Sequence, residues 1–204
     1  DSQLVYSEDV DVTSWTDEKT KNLDFTDERG CLNKIISFND YVYVFRDYGI
    51  TQLSIYGSDE EFSISHLYLS DSYIYPNTIT QSGDNVYFLE RNSLKYFNGS
   101  SVRELKLDCK NLLSKTQPSP QATCFEGKIY LACRCNYGDD ETVGCESYSG
   151  GYINNTLLVY DIENERVEIL RGVDINKLLP LNNPLKSKLI ACFNNEHIGK
   201  IGEI

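Results

Sequence analysis

The chain has 204 residues, of which 40% are hydrophobic and 25% are charged, an ordinary composition for a globular fold. Its formal net charge of -12 argues against a nucleic-acid partner, because phosphates require a basic surface. The sequence contains no run of eighteen apolar residues, so it predicts no membrane-spanning helix and no membrane insertion.

Short strands separated by polar turns are predicted along the whole chain. Fifteen Tyr and eight Phe favour strands, because aromatic side chains suit a pleated, half-buried surface. A two-residue hairpin turn is predicted at Asn98-Gly99, since both positions tolerate positive φ. In chain order we expect strands at 4–7, 32–38, 41–46, 49–55 and 62–69, the same plan again over 78–108, a helical turn at 109–114, then strands at 128–134, 155–160, 166–170 and 188–193.

A sequence motif made of a polar turn followed by an apolar strand recurs at an interval of about forty residues. It begins at Asn39, Gly83 and Glu126, and its strand returns a fourth time at 188–193. A β-rich period of this length is typical of propeller blades, which bury their faces only against each other. We therefore predict an all-β fold, a β-propeller of four-stranded antiparallel blades with about five repeat units. These units can stand alone or form part of a larger ring. The prediction treats 1–204 as a single propeller domain or propeller fragment, with an insertion at about 135–154 that delays the fourth copy.

The amino-acid sequence of the predicted strands resembles that of a family of bacteriophage tail-associated β-propellers. The similar segments are 4–8 followed by 13–15, then 35–37 followed by 41–53, and 76–79 followed by 85–99. They occur in the order of the family and extend over about 4–135 of the chain. The chain departs from the family at Ser93, where Gly is usual, and in the Cys-bearing insertion.

This resemblance implies a non-enzymatic virion structural protein, a tail or tail-tip scaffold or host-surface adhesin. Its partners would be other tail proteins in an oligomeric virion assembly, together with a host-surface glycan or protein, and no cofactor is implied. Two alternatives remain open: a glycan-active or lectin-like propeller, and a cellular protein-interaction propeller. Paired carboxylates, whose separation the sequence does not show, would be required for glycan hydrolysis.

Seven Cys leave at least one thiol unpaired within the chain, and the densest group is Cys133, Cys135 and Cys145. Alternate strand residues share a face, so Cys133 and Cys135 could ligate a metal together, but a fourth soft ligand is missing. We expect no metal. A disulfide between Cys135 and Cys145 across the insertion, or plain free thiols, are the alternatives that remain.

Two pairs of tyrosines place two rings on one strand face: Tyr41 with Tyr43, and Tyr73 with Tyr75. Exposed, such rings could stack on a sugar or contact a protein; buried, they would pack between blades. The two histidines, His66 and His197, both fall in strand patterns, so we expect no nucleophile–base pair and no enzymatic activity.

Overall fold

A computed structural model describes residues 2–7, 13, 20–55, 62–138, 153–182, 185–193 and 201–204. No helix among these residues is long and apolar enough to cross a membrane. Two 3₁₀ turns, Pro76–Thr78 and Lys110–Leu112, accompany the strands. The strands are β1 Gln3–Ser7, β2 Thr20–Asp24, β3 Leu32–Phe38, β4 Tyr41–Arg46, β5 Gly49–Ile55, β6 Phe62–Leu69, β7 Thr80–Ser82, β8 Asn85–Glu90, β9 Ser93–Phe97, β10 Val102–Glu104, β11 Gln121–Phe125, β12 Lys128–Cys133, β13 Thr156–Asp161, β14 Arg166–Arg171, β15 Ile175–Leu181, β16 Lys188–Phe193 and β17 Ile201–Glu203.

The described strands form five antiparallel sheets. Three are four-stranded, with the orders β3-β4-β5-β6, β7-β8-β9-β10 and β11-β12-β13-β14. A pair, β1-β2, precedes them in the chain and a trio, β15-β16-β17, follows. Within each sheet, every strand pairs with the strand next to it in sequence, which is the meander of a propeller blade. The predicted all-β architecture of four-stranded antiparallel sheets is thus confirmed.

The repeated sequence motif lies in the same part of four of the described sheets. Its strands are β4, β8, β12 and β16, each the second strand of its own sheet. The dipeptides Asn39-Asp40, Gly83-Asp84 and Glu126-Gly127 are two-residue turns that join the first strand to the second. At least one residue of each turn has a positive φ. In the three four-stranded sheets the period therefore arises because each sheet begins with the same tight hairpin.

The chain divides into two compact units, residues 1–76 with 99–101 and residues 77–98 with 102–204. In the first unit, a small core is formed by Phe25, Val44 and Leu53, with Leu4, Leu23, Leu32 and Val42 packed against it. In the second unit, a core cluster joins the last two sheets; its buried members are Ala132, Leu157, Val159, Ile175, Leu178 and Ala191. The prediction of a single domain stays a prediction.

Within the second unit, the sheets lie side by side through their first strands. Strand β11 contacts β7 on one side and β15 on the other. The backbone N–H of Cys124 donates to Oγ1 of Thr80 at 2.9 Å, across the β11–β7 contact. On the other side, Nζ of Lys177 donates to Oε1 of Gln121 at 3.2 Å. Consecutive first strands that touch are what a propeller requires of successive blades.

The two-residue hairpin predicted at Asn98-Gly99 is wrong. Phe97 pairs with Val102, so the connection between β9 and β10 is the four-residue loop 98–101. The Gly99 carbonyl accepts a hydrogen bond from the Tyr43 hydroxyl at 3.3 Å, and Gly99 has a φ of 92°. Gly99 thus takes its positive φ within a longer loop and not in a two-residue turn.

Candidate functional site

The buried cation of Arg46 is the anchor of the candidate site. Arg46 ends β4 and is 0% exposed. Its Nη1 donates to Oδ1 of Asp27 at 2.5 Å, and its Nε and Nη2 donate to the Gly30 carbonyl at 3.0 and 2.7 Å. A further bond from Nη2 reaches the Phe25 carbonyl, and the Phe25 ring lies under the guanidinium. The charge is thereby paired and hydrogen-bonded, which a buried cation requires.

Asp27 is the shared acceptor of this anchor. Its carboxylate also accepts the Arg29 backbone N–H at 2.9 Å and lies 3.3 Å from Nε2 of His66. Burial raises the pKa of Asp27, but the hydrogen bond from Arg29 and the charges of Arg46, Arg29 and His66 outweigh it. The pKa therefore lies below its ordinary value. Asp27 is held as a carboxylate that joins the loop before β3 to two strands of the sheet.

Thr51 extends this arrangement into a chain of three side chains. Its Oγ1 lies 3.2 Å from Nδ1 of His66, whose other ring nitrogen faces Asp27. The order resembles a hydroxyl–histidine–carboxylate triad. Thr51 is however 0% exposed, so a substrate has no access to its hydroxyl. We therefore assign the three hydrogen-bonded side chains a positioning role. The other histidine, His197, lies outside the described residues.

Three tyrosines lie together beside this anchor and are called here the tyrosine cluster: the exposed Tyr48 and Tyr73 and the half-buried Tyr75. Tyr48 and Tyr73 are each 38% exposed. The ring of Tyr73 meets those of Tyr48 and Tyr75 edge-on, with centroids 6.0 and 5.3 Å apart. This geometry is the favourable one for aromatic pairs. The cluster is therefore a continuous aromatic surface rather than three separate side chains.

Backbone hydrogen bonds fix the tyrosine cluster to the sheet. Asp47 and Tyr48 form the turn between β4 and β5, directly after Arg46. The N–H of Ile74 donates to the Asp47 carbonyl, and the N–H of Ser70 donates to the Tyr48 carbonyl, both at 2.8 Å. The loop that carries Tyr73 is thus tied to the hairpin that carries Tyr48. Burial, followed by the Asp47 carboxylate, raises the pKa of Tyr73, so its hydroxyl stays protonated at neutral pH.

The two predicted tyrosine pairs have different surroundings. Tyr43 is 1% exposed and packs on Phe38, with ring centroids 4.4 Å apart. Tyr41 is half-buried, 6.2 Å from Tyr43. This pair is packing, whereas the exposed Tyr73 and the half-buried Tyr75 belong to the tyrosine cluster. The sequence does not single out Tyr48, because it lies in the turn between β4 and β5 and not in a pair of tyrosines on one strand face.

The predicted cysteine group is described in part. Cys133 and Cys135 are buried, with Sγ atoms 4.0 Å apart, whereas Cys145 lies outside the described residues. The Cys135–Cys145 disulfide therefore stays a prediction. Among the residues that the structure describes, no group of three or more His, Cys, Asp or Glu side chains could hold a metal ion. Residues 139–152 of the insertion are likewise outside the described part of the chain. The strands on either side of the insertion, β12 and β13, pair up to Cys133 and Thr156.

No protein-family model matches this sequence, and no curated protein matches it. Among solved structures, the chain is similar to the WD40 domain of Pan2 from Neurospora crassa and the N-terminal domain of Nup159. Each is 11% identical with a TM-score of 0.49; both cover 86% of this chain, but 46% and 41% of the other chain. An extracellular domain of the putative one component system BT4673 from B. thetaiotaomicron is 13% identical over 91% of this chain and 29% of its own, with a TM-score of 0.41.

This chain spans less than half the length of these three structures, none of which is described as a bacteriophage protein. A likeness at these scores carries no argument about function. The assignment of blades therefore rests on the strand orders and registers of the chain itself.

Proposed function

We propose that this chain is built of β-propeller blades and is a non-enzymatic protein-interaction module whose contact surface is the tyrosine cluster. The observation that carries the proposal is the edge-to-face arrangement of Tyr48, Tyr73 and Tyr75 on an anchored hairpin. Sheets with the meander of propeller blades supply a rigid support for such a surface.

The physical chemistry of tyrosine supports a protein partner. Tyrosine combines a large apolar ring with a hydroxyl, and it is enriched among the residues that dominate binding energy. Rings already held against each other lose little conformational freedom when a partner binds. The net charge of -12 favours a partner segment that is neutral or basic and presents apolar side chains.

The virion tail role is a narrower form of this proposal. In it, the partner would be another tail protein, or a host-surface glycan or protein, and the only support is the sequence resemblance. A lectin-like function would use the same rings, because sugars also stack on tyrosine. Binding experiments with peptides and with glycans therefore have to be carried out in parallel.

Selection from a random-peptide display library tests the proposal. The library is panned on the wild-type chain and depleted on a variant carrying Tyr48→Ala and Tyr73→Ala. We expect peptides that bind the double variant at least about tenfold more weakly than the wild type. Ile64→Ala is the matched control, since Ile64 is 39% exposed in the same unit and lies outside the cluster. It should leave the affinity unchanged.

Two results would overturn the proposal. One is a selection that yields no peptide dependent on the tyrosines. The other is hydrolysis of members of a glycan panel by the purified chain, which would favour the glycan-active alternative. Glycan binding without hydrolysis, if abolished by the double variant, would replace the protein partner by a sugar.

A further inference from the structure

Cys133 and Cys135 form a closely spaced pair inside the second unit. Cys133 is the last residue of β12, and Cys135 makes an isolated bridge with Leu113. Both side chains are almost completely buried, at 0% and 2% exposed, and their Sγ atoms lie 4.0 Å apart. A disulfide needs sulfurs about 2 Å apart. Closing it therefore requires an approach of about 2 Å between two thiols that already face each other.

Two amide side chains hold the backbone of this pair. Asn155 accepts the Cys135 N–H at 2.8 Å through Oδ1 and donates to its carbonyl at 2.8 Å through Nδ2. Gln117 does the same for Arg134, at 2.7 and 2.9 Å. These bonds imitate the pairing of a neighbouring strand. Together with the bridge to Leu113, these bonds fix the backbone positions that keep the two sulfurs close.

The two thiols are chemically unequal. The hydrogen bond from Cys133 is the main cause that lowers the pKa of Cys135 to about 7; burial opposes it, and hydrogen bonds from Thr156 and Tyr137 and the charge of Arg171 add to it. The same pairing, together with burial, raises the pKa of Cys133. Cys135 is thus the sulfur of the pair that ionises first, with a thiolate form already present at neutral pH, and Cys133 is the thiol beside it.

The surrounding groups support this difference in pKa between Cys135 and Cys133. The Tyr137 hydroxyl lies 2.8 Å from Oγ1 of Thr156, and the guanidinium of Arg171 lies 4.2 Å from the Tyr137 ring centroid. Burial raises the pKa of Tyr137 to about 12, so its hydroxyl remains a donor. Cys109 is the other titratable group nearby, and burial followed by the charge of Cys135 raises its pKa. The groups that lower the pKa of Cys135 therefore belong to one hydrogen-bonded network, in which Oγ1 of Thr156 also donates to Oδ1 of Asn155 at 3.0 Å.

We propose that Cys133 and Cys135 are a dithiol modification site that hydrogen peroxide oxidises to an intramolecular disulfide. The Cys135 thiolate attacks one peroxide oxygen, the O–O bond breaks, and the departing hydroxide takes a proton to become water. The Cys135 sulfenic acid formed is then attacked by the sulfur of Cys133. The S–S bond forms as the S–O bond breaks, and the proton of Cys133 leaves with that oxygen as a second water. Two thiols lose two electrons, and one peroxide gains them.

Burial makes the site selective for a small oxidant. Hydrogen peroxide is hardly larger than water, whereas glutathione disulfide is a bulky, charged tripeptide dimer that needs an accessible sulfur. Cys135 is 2% exposed, but Cys31 is exposed on the surface of the first unit. The chain therefore carries its own control: glutathione disulfide should modify Cys31 and leave the pair reduced.

Peptide mapping of the wild-type chain after peroxide treatment and alkylation under denaturing conditions tests the proposal without a variant. We expect a peptide that contains Cys133 and Cys135 to have lost two hydrogen atoms. The Cys133→Ser variant should instead accumulate a sulfenic acid on Cys135 that dimedone traps. A link from Cys135 to Cys145, or a Cys135 that is still alkylated when Cys31 is oxidised, would overturn the proposal.

The rate of oxidation supplies a second readout. It should rise with pH through a midpoint of about 7 and reach a plateau at higher pH, as Cys135 becomes a thiolate. Tyr137→Phe removes one donor and should move the midpoint to higher pH, while the plateau rate stays the same. Tyr130→Phe is the matched control, because Tyr130 is not among the groups that perturb Cys135. An unchanged midpoint in Tyr137→Phe would contradict the role assigned to the tyrosine.

Discussion

The guanidinium of Arg46 lies 2.5 Å from the carboxylate of Asp27, nineteen residues earlier in the chain. The pair closes the loop before β3 onto the end of β4. The next two residues form the turn that carries Tyr48, so the anchor and the tyrosine cluster are adjacent parts of one hairpin. We infer that the geometry of the cluster depends on this ion pair.

The Asp27→Asn substitution should destabilise the chain by about 3 kcal/mol, because it leaves the Arg46 charge buried without its counter-ion. The value is at the low end of the usual range since carbonyls of Phe25 and Gly30 still accept hydrogen bonds from Arg46. Urea unfolding measures the loss. Asp71→Asn, which removes the same charge at an exposed position, should change the free energy of unfolding by less than about 0.5 kcal/mol.

The pH dependence of stability should reveal the same ion pair. The pKa of Asp27 in the folded chain is below its ordinary value, so its contribution is complete above about pH 4 and declines as the pH falls through the folded-state pKa. Urea midpoints of the wild type and Asp27→Asn should therefore differ most at neutral pH and converge in acid. A difference that is independent of pH would show that the carboxylate charge is not involved.

Gly49→Ala tests how closely β5 and β6 approach. A Cβ at position 49 would lie 2.4 Å from the backbone carbonyl oxygen of Tyr68, which has to shift. We expect a destabilisation of about 2 kcal/mol by thermal or urea unfolding. Gly83→Ala is the comparison, because the added Cβ would touch nothing within 4 Å and only the positive φ of 55° is penalised. It should cost about 1 kcal/mol.

Glu126→Asn should stabilise the chain. Glu126 has a φ of 46° in the turn between β11 and β12, a conformation that asparagine adopts more readily than glutamate. The expected gain is about 0.5 to 1 kcal/mol in urea unfolding. Glu163→Asn makes the same change of side chain in a turn where φ is not positive. A gain of equal size there would attribute the effect to charge instead of backbone conformation.

The strands that could be predicted are those with local signals. The bounds predicted for β3 to β6 agree with the structure, because each strand alternates or runs apolar between polar connections, two of which have only two residues. Among the strands that were not predicted are Thr20–Asp24 and Ile175–Leu181. The first is mostly polar, and the second contains Pro180, which sequence rules count against a strand. In the structure β15 is an edge strand, where proline is tolerated.

The candidate site was harder to predict because its contacts join distant residues. A charged side chain in the apolar run that ends at Arg46 was the available signal, since a cation so placed needs a buried partner. Its partner Asp27 lies in an acidic stretch where no residue stands out. For the cysteines, the shared face of Cys133 and Cys135 was predicted, but the Thr156 hydroxyl and the Arg171 guanidinium that act on Cys135 come from other strands. Spacing alone does not indicate such groups.

Hydrogen–deuterium exchange of the chain, alone and bound to a display-selected peptide, tests the central claim most directly. If the tyrosine cluster is the contact surface, the peptide should slow exchange at residues 47–49 and 70–75, with no such protection in the Tyr48→Ala and Tyr73→Ala double variant. Protection confined to the second unit, for example at residues 166–171, with none at the hairpin after Arg46, would contradict the account.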